Sequence, residues 1–191
     1  MLTKNMTEKF LIFPTPLIKV KLNEDLNELK EFSKTLSAKV NLSNVGGKNS
    51  GQVDFKKKPL ISLSDKITKI ANDNFVEDLA LDRNLNIENM WFNINGHKAY
   101  NTEHLHMHFL VSGVFYVDVQ KNSGDLILHR NSWAHCFTVT DNSKSYNLFT
   151  SSTKSITPEN NMLILFPSWL VHSVNPNLSN EKRISIAFDL R

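Results

Sequence analysis

The chain has a single cysteine, Cys136, so no intrachain disulfide can form and no Cys-x-x-Cys pair exists for a zinc or redox site. That usage fits a reducing compartment. Cys136 itself reads as a small strand residue rather than a nucleophile. Long apolar runs are also missing. Phe10-Leu11-Ile12-Phe13 stops at Pro14, too short for a signal core or a membrane span. Charge of one sign is scarce: the net charge is +3, and the densest basic run, Lys56-Lys57-Lys58, reads as a solvated loop. There is no basic stripe and no interleaving of basic and aromatic residues, so neither nucleic acid nor a membrane is an expected partner. Internal repeats are absent. These absences lead us to expect a soluble, cytoplasmic protein.

What is present is ordinary globular material. A length of 191 residues suffices for one self-supporting core, and we expect a single domain over 1–191. Residues 1–86 read as an N-terminal strand followed by supporting helices. Leu17 to Leu22 partly alternates and suits a strand. Asn23 looks like a cap for a helix carrying Leu26, Leu29, Phe32 and Leu36 and ending near Val40. The polar stretch 41–58 reads as a loop. A second helix is expected over 59–81, capped by Ser62 or Ser64, with Ile67, Ile70, Ala71, Phe75 and Leu79 as its apolar stripe. From residue 87 the segments become short, β-branched and aromatic. Strands are expected at 87–94, 104–109, 113–119, 125–129, 136–139, 162–166, 170–174 and 183–189, with 142–157 as a long loop. Eight short strands at turn-sized spacing indicate a sandwich or barrel, so the class is α+β.

Three stretches carry chemistry. In a strand, residues two apart share a face, so His104 and His106 would present two imidazoles together, with His108 next in line. Imidazole is the commonest protein ligand for iron, zinc, copper and nickel. Phe166-Pro167-Ser168-Trp169-Leu170-Val171-His172 places one more histidine after a proline turn. In Arg183-Ile184-Ser185-Ile186-Ala187-Phe188, Arg183, Ser185 and Ala187 face one way. A guanidinium on a small, apolar face needs an anion, and a bidentate carboxylate clamp is what arginine does best. Ser185 could add a hydrogen bond. The turn-rich 175–180 puts His172 and Arg183 on consecutive strands, read here as an antiparallel pair.

His172, ten intervening residues, then Arg183-x-Ser185 resembles the distal half of the 2-oxoglutarate oxygenase signature. More narrowly, the chain resembles a family of 2-oxoglutarate/iron(II) oxygenases found in bacteria and marine bacteriophages. The matching pieces are Leu11-Ile12-Phe13-Pro14-Thr15-Pro16, Trp91-x-Asn93, Asn101-x-x-His104-x-His106, Ser112 to Val117, Phe166 to His172, and Arg183 to Phe188. They cover nearly the whole chain. The resemblance implies a double-stranded β-helix, a cupin-like jelly-roll barrel, with supporting N-terminal helices. It implies iron(II) held by His104, His106 and His172. It implies 2-oxoglutarate held by Arg183 and Ser185, with Tyr116 and Asn101 as further contacts, and dioxygen as co-reactant. The reaction would hydroxylate an unidentified small-molecule, peptide or protein substrate, releasing succinate and carbon dioxide, in the cytoplasm of a bacterium or of a phage host. The oligomeric state stays open; a homodimer is one option, by analogy with other jelly rolls.

The broader superfamily has His-x-Asp or His-x-Glu where this chain has His104-x-His106. The third ligand is therefore either His106 or water. Two other readings stand beside the oxygenase: a cupin-type metalloprotein that does not use 2-oxoglutarate, and a non-catalytic jelly-roll module. Arg183 and Ser185 speak against the first of these.

Overall fold

A computed structural model describes residues 8, 10–39, 43–131, 145 and 147–191. In chain order the elements are β1 (Ile18–Lys21), α1 (Leu26–Lys34), β2 (Asn44–Val45), β3 (Lys48–Asn49), α2 (Ile61–Phe75), β4 (Ile87–Asn95), β5 (Tyr100–His104), β6 (Val111–Asp118), β7 (Leu126–His129), β8 (Thr153–Ile156), β9 (Met162–Pro167), β10 (His172–Val174) and β11 (Arg183–Leu190). Among the described residues they form two antiparallel sheets. One has six strands in the order β1-β9-β6-β11-β4-β3; the other has five, in the order β2-β5-β10-β7-β8.

The alternation of side chains decides which face meets what. On β6, Phe115 and Val117 point out to the helices, while Val114 and Tyr116 point in toward the smaller sheet. Strand β9 is buried along its whole length because both its faces are covered. Leu163 and Leu165 join the helical side, and Met162, Ile164 and Phe166 join the inner one. The helices bring Leu29 from α1 and Leu63, Ile67, Ala71 and Phe75 from α2, a stripe at helical spacing. They therefore cap the outer face of the six-stranded sheet. The inner faces of the two sheets enclose a second core and, beside it, a polar cavity.

Local hydrogen bonding accounts for most departures from the expected boundaries. Asp25, not Asn23, caps α1, its carboxylate accepting from the Asn27 and Glu28 backbone N–H groups at 3.0 and 3.2 Å. The helix stops at Lys34, where the Thr35 hydroxyl turns back to Phe32 O. Helix α2 is shorter than the expected 59–81 and carries no side-chain cap. Its Ser64 hydroxyl instead straps the helix to Phe55 O. The expected loop 41–58 contains β2 and β3, strands of two residues each, too short for any hydrophobic alternation to reveal. Likewise β8 lies inside the expected loop 142–157. The strand expected at 136–139, with Cys136, lies outside the described residues. Two corrections bear on the site. Strand β5 ends at His104, so His106 follows it in coil, and His108 sits in a turn at φ 77°. And β10 and β11 are not partners: they belong to different sheets, so 175–182 is a crossover rather than a hairpin.

Candidate metal centre and anion pocket

The crossover puts one pole of the cavity on each sheet. From the smaller sheet come His104 and His172, directly opposite each other across the β5–β10 pair. His106 reaches them from the coil after β5, its backbone N–H bonded to Ser168 O at 3.0 Å. The three rings lie 4.3 to 5.2 Å apart between centroids, and their ligand atoms fall within 4.8 Å of one another.

Each ring is held by its Nδ1. His104 donates to Thr102 O at 2.7 Å and His172 to Leu170 O at 2.9 Å. His106 donates to the Asp189 carboxylate at 2.6 Å. These acceptors are oxygens without a proton to give, so each Nδ1 must carry the hydrogen and each Nε2 keeps a lone pair. His106 Nε2 is buried and has no hydrogen-bond partner. A buried lone pair without a donor is costly, and a cation shared with the neighbouring imidazoles resolves the cost. Burial also acts on the rings. It pushes His172 down to about 3, helped by the nearby His104, and it lowers His104 as well. Both rings are thus held neutral, the form that binds metal. Three converging imidazole nitrogens would suit a divalent transition metal.

From the larger sheet comes Arg183, on β11. It is one of the largest buried side chains, 2% exposed. Its Nη1 donates to the carbonyls of Ser123, Gly124 and Asn175, at 2.5, 3.3 and 3.3 Å. Among the described residues no carboxylate pairs with it. Burial lowers its pKa, and the Tyr116 hydroxyl nearby opposes that shift. Tyr116 is in turn raised by its own burial. The cradle depends on Gly124 at φ 91°: a Cβ there would sit 2.1 Å from Asn175 O and 2.7 Å from Arg183 Nη1. Ser185 lies opposite Tyr116 and Asn93 in the sheet, so these side chains share the inward face.

His104, His106, His172, Arg183, Ser185, Tyr116 and Asn101 all line this one cavity. Trp91 lines it too and stacks on His106 with ring centroids 5.7 Å apart. His97 and His108 are exposed and lie apart from it, and Glu103 is exposed too. His129 bonds the Ser173 hydroxyl. Sequence reasoning missed Asp189 and Ser112. The signal was available, because Asp189 follows Arg183, Ser185 and Ala187 at strand period two.

A family model described as "Putative 2OG-Fe(II) oxygenase" matches residues 89–189, from β4 to Asp189. No curated protein sequence matches the chain. Among solved structures, a Pseudomonas putida prolyl-4-hydroxylase superposes with a TM-score of 0.63 at 15% identity, over 92% of this chain and 91% of that one. HygX from Streptomyces hygroscopicus, with nickel and 2-oxoglutarate bound, gives 0.57 at 11% identity, over 92% and 82%. The viral collagen prolyl hydroxylase of Paramecium Bursaria Chlorella virus-1, as its 2-oxoglutarate complex, gives 0.56 at 12%, over 92% and 95%. At such identities the likeness is one of fold, and that fold is the double-stranded β-helix.

Proposed function

Since the chain belongs to the 2OG-Fe(II) oxygenase family, we propose that His104, His106 and His172 hold its iron(II) through Nε2, and that Arg183 receives the far carboxylate of 2-oxoglutarate. The observation that carries this reading is the buried Arg183 without a carboxylate partner, in the same cavity as three imidazoles whose outer nitrogens are already tied. A cupin-type metalloprotein that does not use an oxo acid has no need of such a clamp.

Bound iron(II), 2-oxoglutarate and dioxygen supply the oxidising chemistry, releasing succinate and carbon dioxide. The protein's own part is geometry and exclusion of water. Three carbonyls hold the Arg183 guanidinium in place on Nη1 before any ligand arrives, so the anion meets a preorganised donor. Ser185 and Tyr116, facing each other across β11 and β6, offer hydroxyls at the same end of the cavity. Asn101 offers an amide on the opposite sheet. The substrate is proposed to be a small molecule or a peptide or protein side chain, oxidised at a C–H bond. A cytoplasmic setting is part of the proposal, supported by the lone cysteine and the need to keep iron ferrous.

An anaerobic titration tests the assignment. The chain loaded with iron(II) should develop the weak visible charge-transfer band of a 2-oxo acid chelate when 2-oxoglutarate is added. Metal bound tightly with no such band would overturn it.

A further inference from the structure

Asp189 lies at the end of β11 farthest from Arg183, 3% exposed. Its Oδ1 accepts from His106 Nδ1 at 2.6 Å and from the Ser112 hydroxyl at 2.7 Å. Ser168, fully buried, completes the chain by bonding Ser112 at 2.7 Å. Among the described residues no lysine or arginine pairs with Asp189; its one ion-pair partner is His106. A carboxylate this buried is costly unless a positive charge answers it. His106 is the group that Asp189 faces, and its Nε2 is buried with no hydrogen-bond partner of its own.

The surroundings also explain why His106 needs a guide. It stands beyond the end of β5, where no strand register fixes its ring. Trp91 stacks on one face, and Asp189 fixes the rotation about Cβ–Cγ by holding Nδ1. Three neutral imidazoles would give a divalent ion no compensating charge. One carboxylate, a single ring removed, restores it.

Granting the reading that the three histidines bind metal, we propose that Asp189 is a positioning residue of the metal centre. Through His106 it supplies the negative charge that a directly bound carboxylate would contribute, and it aims His106 Nε2 at the other two imidazoles. Carboxylate partners of metal-bound histidines are worth about tenfold to a hundredfold in metal affinity.

Calorimetric titration of the metal-free full chain with cobalt(II) alone tests this, across wild type, Asp189→Asn, His106→Asp and the double variant. Asparagine keeps an acceptor for Nδ1 and removes only the charge. Asp189→Asn should weaken cobalt(II) binding about tenfold to a hundredfold with an unchanged or higher melting temperature for the metal-free protein. In the His106→Asp background, where a carboxylate binds directly, the same change should be neutral or tighten binding. Equal losses in both backgrounds, or no loss in the first, would overturn the proposal. If wild type binds no cobalt(II), the three-histidine reading itself falls. A readout independent of any variant is histidine ring NMR of the zinc(II)-loaded wild type. The His106 proton should sit on Nδ1 and resonate downfield of those of His104 and His172, which face carbonyls. A proton on Nε2 would likewise overturn it.

Discussion

The two poles of the cavity solve opposite electrostatic problems. At the histidine pole, three rings are tied down through Nδ1 by backbone carbonyls and a carboxylate, and their Nε2 atoms are left free. At the arginine pole, a permanent cation is tied down by carbonyls alone, and what is free is positive charge. One pole waits for a cation and the other for an anion. In both, the protein saturates the side of the group that faces away from the ligand. A ligand that is negative at both ends and chelating at one meets both demands. The difference teaches that charge is rationed by position: the only carboxylate in direct contact with the metal pole sits behind a ring, and none sits beside the guanidinium among the described residues.

The sharpest way to break this comparison is to remove one pole and ask whether the other notices. Arg183→Met should weaken 2-oxoglutarate binding by about a hundredfold to a thousandfold, the loss of two charged hydrogen bonds. Cobalt(II) affinity should stay within about threefold of wild type, and calorimetry measures both. Metal loss in that variant would show the poles to be coupled.

A smaller effect separates the poles by pH. With His172 near 3 when folded and near 6.5 when unfolded, the unfolded chain takes up the proton first. Stability is therefore complete above about 6.5 and falls as pH drops toward 3, by about 1.4 kcal/mol per pH unit from this ring. Thermal melts of the metal-free protein at pH 7 and pH 5 should show the decline, and His172→Gln should flatten it. An unchanged slope in that variant would put the titration elsewhere.

The smallest change tests the arginine cradle alone. Gly124→Ala forces a side chain into a left-handed backbone and against Asn175 O. It should destabilise the fold by about 1–3 kcal/mol in denaturant titrations. It should also raise the 2-oxoglutarate KM while leaving metal affinity untouched.

The legible part of this molecule was its chemistry, and the illegible part its paths. The family blocks marked His104, His106, His172 and Arg183, and strand alternation correctly put Arg183, Ser185 and Ala187 on one face. Asp189 obeys the same alternation, but nothing in the sequence around the histidines announces it, because it arrives from β11. His106 was placed on a strand by its spacing, but the strand ends at His104, and the ring reaches the cavity through Asp189 and Trp91 instead. The hairpin expected between β10 and β11 failed for a reason local signals do not carry. Asn and Pro announce that the chain turns, not which sheet it turns toward. Strands β2 and β3 were hidden because two residues are too few to show a hydrophobic period.

The crossover at 175–182 lines none of the cavity, yet it joins the last histidine to the arginine across the gap between two sheets. It is not slack: the Asn177 side chain, fully buried, donates to Asn95 O and Glu181 O and accepts from Ser179. It works as a ruler. It ties the histidine end of the cavity to the arginine end through residues that line neither. A one-residue insertion there would shift Arg183 relative to the three histidines without altering any residue that lines the cavity.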